Sequence, residues 1–138
     1  MRITRKAEFS SSHFCYRADW SEEQNRRVYG ASANLHGHGH NYLVEVTLEG
    51  EADPVTGMVL DLKALKDVMN DEIIEPFDHK HLNHEVRPFD KIVPTTENIA
   101  REIWGRLAKH FPGGGAQLRR IRLWETQDIY VDYYGETA

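Results

Sequence analysis

The chain has one cysteine, Cys15, so no disulfide can form within it. That excludes a disulfide-stapled scaffold and suits a reducing compartment. Long apolar runs are missing too. None approaches the ~20 residues that cross a bilayer, and Met1-Arg2-Ile3-Thr4-Arg5-Lys6 lacks the apolar core of a signal peptide. The expected location is cytoplasmic. There is no basic excess: 17 Lys and Arg stand against 22 Asp and Glu, a formal charge of −5. This argues against a nucleic-acid partner, whose footprint is basic, but leaves room for a local basic patch that binds a phosphorylated small molecule. Internal repeats, low-complexity tracts and linker-like stretches are also missing. What remains is 138 residues, 40% hydrophobic and 28% charged, the profile of one globular domain over 1–138 with enough chain for a core.

Periodicity predicts the elements. Residues 2–13 alternate, with Ile3, Ala7, Phe9 and Ser11 on one face and Thr4, Lys6, Glu8 and Ser10 on the other. His13 closes this first strand on the inward parity. Residues 14–35 are polar and irregular, with a short helix capped by Ser21. A second strand is expected over 38–49, ending at Gly50 and the turn residues Asp53-Pro54-Val55-Thr56-Gly57. Asp61 can cap a helix from Leu62, with Leu62, Leu65, Val68, Met69 and Ile73 on one face and Pro76 as its end. A polar loop follows over 77–84. A second long helix starts at Thr95 or Thr96 with the stripe Ile99, Ile103, Trp104, Leu107 and Phe111, and Pro112-Gly113-Gly114-Gly115 stops it. Residues 118–125 and 129–134 read as two further strands around Thr126-Gln127-Asp128. The order β-β-α-α-β-β has no strand–helix–strand alternation. It predicts an α+β fold: a four-stranded antiparallel sheet, with two helices inserted between strands two and three and packed on one face.

The chemistry concentrates in a few places. His36-Gly37-His38-Gly39-His40 puts three of the eight histidines into five residues. On a strand, His38 and His40 share a face with Cα atoms roughly 6–7 Å apart, close enough to meet on one ion at Zn–N bonds of about 2.0–2.1 Å. With His13 added, three nitrogens and an open fourth position match a catalytic zinc rather than a closed structural one. His36 has the same parity and stays a possible ligand. Asp78-His79 sets a carboxylate beside an imidazole, which can orient it and raise its basicity for general acid or base work. His81 and His84 could join His79 in a second metal site, although no carboxylate spacing supports one. Glu125 shares parity with Ile121 and Leu123, and a carboxylate on an apolar face needs a partner. An arginine would serve, and so would a ligand with adjacent N–H donors such as a 2-amino-pyrimidinone.

Several of these segments, in this order, resemble the 6-pyruvoyl-tetrahydropterin synthase / 6-carboxytetrahydropterin synthase family. The likeness runs through Phe9-Ser10-Ser11-Ser12-His13, Gly37-His38-Gly39-His40-Asn41-Tyr42, Asp53-Pro54-Val55-Thr56-Gly57-Met58-Val59 and Leu62-Lys63-Ala64-Leu65-Lys66. It continues through Phe77-Asp78-His79-Lys80-His81-Leu82-Asn83, Pro94-Thr95-Thr96-Glu97-Asn98 and Trp124-Glu125-Thr126, and so covers nearly the whole chain. The resemblance implies the tunnelling fold, with trimers stacked into hexamers and sites built from more than one subunit. It implies Zn2+ on His13, His38 and His40, an acid–base pair of Asp78 and His79, a pterin anchor at Glu125, and pterin contacts at Thr95, Thr96 and Glu97. The implied activity is that of a lyase that eliminates triphosphate from 7,8-dihydroneopterin triphosphate to give 6-pyruvoyl-tetrahydropterin. The alternative is the 6-carboxytetrahydropterin synthase of queuosine biosynthesis, which also releases acetaldehyde. One position departs from the pattern: where the family carries a cysteine base, this chain has Ser32. An inactive or altered member that binds pterin without turnover is therefore a further expectation.

Overall fold

The structure is a computed structural model that describes residues 1–136. Its elements in chain order are β1 (Arg2–His13), α1 (Glu22–Tyr29), β2 (His38–Glu49), α2 (Leu62–Met69), α3 (Glu75–Phe77), β3 (Lys80–His81), α4 (Leu82–Glu85), α5 (Thr96–Ala108), β4 (Gln117–Thr126) and β5 (Ile129–Tyr133). One sheet of order β3-β1-β2-β4-β5 holds them together. β1 and β2 pair antiparallel in unbroken register from Arg2↔Glu49 to His13↔His38. The period of two then sends alternate side chains to opposite faces.

The inner face is the core. Tyr42, Val44, Val46 and Leu48 of β2 and Ile121 and Leu123 of β4 are fully buried against Leu65, Met69 and Ile73, and against Ile99, Ile103 and Leu107 of α5. Each such aliphatic or aromatic side chain contributes roughly 1.5–3 kcal/mol by leaving water. The helices start where their caps dictate. Asp61 accepts from the Lys63 N–H at 3.0 Å, and Thr95 accepts from the Asn98 N–H at 3.2 Å. The outer face is polar but not all open. Glu45 and Thr47 are buried there; Trp124 Nε1 donates to Glu45 at 2.6 Å, and the Thr47 and Thr4 hydroxyls lie 2.7 Å apart.

The sheet has five strands rather than four, and it is not wholly antiparallel. Lys80 and His81, expected in a loop, run parallel to Ser11 and Ser12 at the edge of β1. Two residues are too few to show alternation, so only backbone pairing reveals this strand. The segment between β2 and β4 also holds more than two helices, because α4 follows β3 at once. Pro76 does not end the helix that begins at Leu62. A π-turn over Asn70–Ile74 links α2 to α3, with the Glu75 N–H donating to the Asn70 carbonyl, and Pro76 sits inside α3. Proline has no N–H to donate, and the helical path continues past Pro76 with that one bond missing. Among the described residues, no helix is long and apolar enough to cross a membrane.

Candidate metal centre and active site

The register of β1 on β2 places the three imidazoles. His13 lies opposite His38, and Ser11 lies opposite His40. All three rings project from the inner face at one end of the sheet, with centroids 4.7, 5.2 and 4.9 Å apart. One ligand atom from each comes within 4.8 Å of the others. His13 is fixed by a backbone partner, its Nδ1–H donating to the Pro94 carbonyl at 2.8 Å. A bond of that kind sets the tautomer and leaves Nε2 with its lone pair free for a metal. His40 Nε2 is buried and has no hydrogen-bond partner, which is costly unless something electropositive meets it. Burial pulls the His13 pKa down to about 4 and lowers that of His40. Both rings are therefore neutral at pH 7, the form that binds metal. The donor set fits a divalent transition metal that prefers nitrogen ligands. His36 is not part of it: its backbone N–H bonds Asn34 Oδ1 at 3.0 Å and its side chain is exposed.

Gly37 makes the approach possible. Its φ is +79°, and a Cβ there would lie 3.0 Å from His81 Nε2 and 3.2 Å from the His13 carbonyl. A side chain would be strained by the backbone and would clash with the strand that carries His13.

Glu125 reaches the same place from β4. The pairing of β4 with β5 shifts between Trp124 and Thr126, leaving Glu125 as the extra residue of a bulge. Bulges re-aim side chains next to functional sites. Here the carboxylate comes within 3.6 Å of His40 Nε2 and 3.8 Å of His13 Nε2. Thr95, Thr96 and Glu97 open α5 directly after Pro94, the residue whose carbonyl holds His13. Thr96 is buried and Glu97 is exposed.

Asp78 and His79 sit apart from the imidazole triad, at the β3 edge of the sheet. Asp78 Oδ1 accepts from the Ser10 N–H at 2.8 Å and its Oδ2 lies 2.9 Å from His79 Nδ1. The Ser10 N–H, followed by His79, holds the Asp78 carboxyl below the usual carboxylate range. His79 has φ +59° and an 84% exposed side chain. A non-glycine residue in the left-handed region is strained, and such strain clusters at functional sites. His81 and His84 stack at 4.3 Å next to Phe14 and do not gather His79 into a second metal group among the described residues.

Ser32 lies in a 3-10 turn over Gly30–Ala33, and its carbonyl accepts from the Cys15 N–H at 2.8 Å. The Cys15 thiol is buried. Desolvation, with Glu125 and Glu97 nearby, pushes its pKa up to about 11. It stays protonated near neutral pH and does not replace a thiolate at position 32. Three features of the site have little or no signal in sequence. The Pro94 carbonyl is backbone. The Tyr42 hydroxyl lies 3.4 Å from His13 Nε2, and strand parity puts Tyr42 on the face of His38 and His40 without marking its hydroxyl. Asn83 clamps the chain just past His13: its Oδ1 accepts from the Phe14 N–H at 2.9 Å and its Nδ2 donates to the Phe14 carbonyl at 3.0 Å.

Residues 2–136 match the family profile described as 6-pyruvoyl tetrahydropterin synthase. The chain belongs to the 6-pyruvoyl tetrahydropterin synthase family. Its relatives in that family include the human protein named 6-pyruvoyl tetrahydrobiopterin synthase, 44% identical over 135 residues, which cover 98% of this chain and 92% of the relative. A Pyrococcus furiosus protein named dihydroneopterin monophosphate aldolase is 35% identical over 133 residues, 95% of each chain. The solved structure of Caenorhabditis elegans 6-pyruvoyl tetrahydropterin synthase superposes with a TM-score of 0.92 at 32% identity, covering 99% of this chain and 96% of that one. The tunnelling fold expected from the sequence is thus the fold of the family's solved structure, and the protein is an enzyme of the 6-pyruvoyl tetrahydropterin synthase family.

Proposed function

We propose that the protein is a zinc-dependent lyase that eliminates triphosphate from 7,8-dihydroneopterin triphosphate to give 6-pyruvoyl-tetrahydropterin. The observation that carries this reading is the convergence of three imidazoles, one locked by the Pro94 carbonyl, in a chain of this family. His13, His38 and His40 hold Zn2+, which when bound acts as a Lewis acid towards the hydroxyls of the substrate side chain and acidifies the adjacent C–H bonds. Glu125 accepts the N–H donors of the pterin ring, and Thr95, Thr96 and Glu97 flank it. Asp78 orients His79 through Nδ1, leaving Nε2 to take or return a proton. The exposure of His79, outside its own imidazole triad, supports its acting on the site of a neighbouring subunit in a homo-oligomer. A hexamer of two trimers, in the cytoplasm, is the expected assembly.

Ser32 favours a second reading. A serine hydroxyl does not ionise near neutral pH as a tuned thiol can. Proton abstraction at that position is weakened, and the chain either cleaves carbon–carbon bonds, as the name of the Pyrococcus relative describes for that protein, or binds pterin without turnover. Incubation with 7,8-dihydroneopterin triphosphate and mass analysis of the products separates these. The 6-pyruvoyl product supports the first reading. Acetaldehyde identifies the 6-carboxy alternative, and a hydroxymethyl pterin formed by loss of the two outer side-chain carbons, without acetaldehyde, identifies aldol-type cleavage. No turnover, with a gain of about 10²-fold or more in Ser32→Cys, identifies an impaired synthase, since a positioned base contributes roughly 10²–10⁴-fold. No gain leaves a pterin-binding module.

A further inference from the structure

We infer that Glu125 is the fourth metal ligand of the substrate-free protein, so that the carboxylate is shared in time between the metal and the pterin. The inference rests on the proposed metal and pterin sites and adds a state in which they compete. The geometry is the starting point. Glu125 Oε1 stands 3.6 Å from His40 Nε2 and 3.8 Å from His13 Nε2. Both distances are too long for hydrogen bonds. They are close to the edge of a coordination tetrahedron, since ligand atoms about 2.0–2.1 Å from a zinc ion lie about 3.3–3.4 Å from one another. The oxygen thus lies inside the 4.8 Å spread within which the three imidazole ligand atoms fall.

Charge points the same way. Among the described residues, the ion-pair partners of Glu125 within 4.0 Å are these two imidazoles. No lysine or arginine among the described residues lies within 4.0 Å of the carboxylate, and His40 Nε2 has no hydrogen-bond partner. A divalent cation between them satisfies the carboxylate and the nitrogen lone pairs together. The bulge at Glu125 is the backbone feature that permits this aim. A carboxylate that turns both oxygens to adjacent pterin N–H groups leaves the metal. Pterin binding then opens the coordination position that the substrate hydroxyls need, and without a pterin the metal stays closed to water.

The test is zinc affinity, read by chelator competition, with Co2+ absorption as a second probe. Wild type, Glu125→Gln, Glu125→Asp and His38→Ala are compared, each checked for folding by circular dichroism. Gln keeps the shape but loses the charge; Asp keeps the charge but falls one methylene short and serves if the Gln variant does not fold. A ligand is expected to show altered Co2+ bands together with a fall in zinc affinity of about 10-fold or more in either variant; the same fall with unchanged bands is what an outer-shell partner gives and overturns the inference. In wild type, saturating 6-methylpterin, which has no side-chain hydroxyls, should weaken zinc binding severalfold, and this coupling should vanish in Glu125→Gln. Affinities within 2-fold of wild type and unchanged Co2+ bands overturn the inference while leaving the triad intact. A wild type that binds no zinc, or a His38→Ala variant that binds as wild type does, overturns the metal site itself and the inference with it.

Discussion

Asn25 is a polar residue with no solvent exposure on an otherwise polar helix, and replacing it tests how the segment beside the site is held. Its Oδ1 accepts from the Arg17 N–H at 2.7 Å, and its Nδ2 donates to the carbonyls of Arg17 at 2.9 Å and Ser21 at 3.0 Å. It thereby ties the chain after Cys15 to α1, which leads into the turn that carries Ser32. Asn25→Ala deletes these bonds, each worth about 1 kcal/mol net. Arg17 is exposed, so water recovers part of its backbone pairing, whereas the cavity left by the amide adds to the cost. The expected loss is roughly 2–3 kcal/mol. At ~3–5 °C per kcal/mol for a chain of this size, the melting temperature should fall by about 6–15 °C. Thermal unfolding of the metal-free protein by circular dichroism measures this, with limited proteolysis locating the loosened segment at 14–33. Asn25→Asp, which keeps the acceptor for Arg17 N–H, should fall between the two. A shift under about 2 °C for Asn25→Ala would refute the view that this amide fastens the segment.

Trp124→Phe removes the 2.6 Å hydrogen bond to the buried Glu45 carboxylate and leaves Arg120 at 3.9 Å as its nearest cation. Hydrogen bonds to charged groups contribute about 1.5–3 kcal/mol, so urea unfolding should show a loss of that order. His38→Ala should abolish near-stoichiometric zinc, measured by metal analysis; full occupancy would count against the ligand set. Asp78→Asn should lower turnover about 10²-fold or more while leaving zinc content unchanged, because the pair lies outside the imidazole triad. Asp78 also bears on acid stability. Its pKa is depressed in the folded state, so its stabilisation is present above the unfolded carboxylate value of about 3.9 and is lost as pH falls through the folded value. Acid titration of the Asn variant should lack that part of the low-pH transition.

Local pattern made much of the fold readable. The period of two in 2–13 and 38–49, and the three–four spacing from Leu62 and from Ile99, reflect which side chains must leave water, and the observed elements follow them. Asp61 and Ser21 are legible as caps because a short polar side chain at a helix start meets a real demand of helix ends. The Lys80–His81 strand was not legible, because its only signal is a backbone hydrogen-bonding edge offered by β1. The passage through Pro76 was hidden for a similar reason: a π-turn is a backbone arrangement, and proline alone reads as a stop.

The sequence by itself determined the residue types of the site and their parity. His13, His38 and His40 share the inward face because the side-chain period of a strand is fixed, and Ser32 is a serine whatever the fold. Tertiary structure decided which of these residues meet. The β1–β2 register set His13 against His38, the Pro94 carbonyl chose its tautomer, and the β4 bulge turned Glu125 onto the imidazoles while Asp78 and His79 were placed at the β3 edge beside β1. Those choices depend on contacts between residues up to 112 positions apart along the chain, such as His13 and Glu125. No local preference encodes contacts at that separation, because they form only when the whole sheet does.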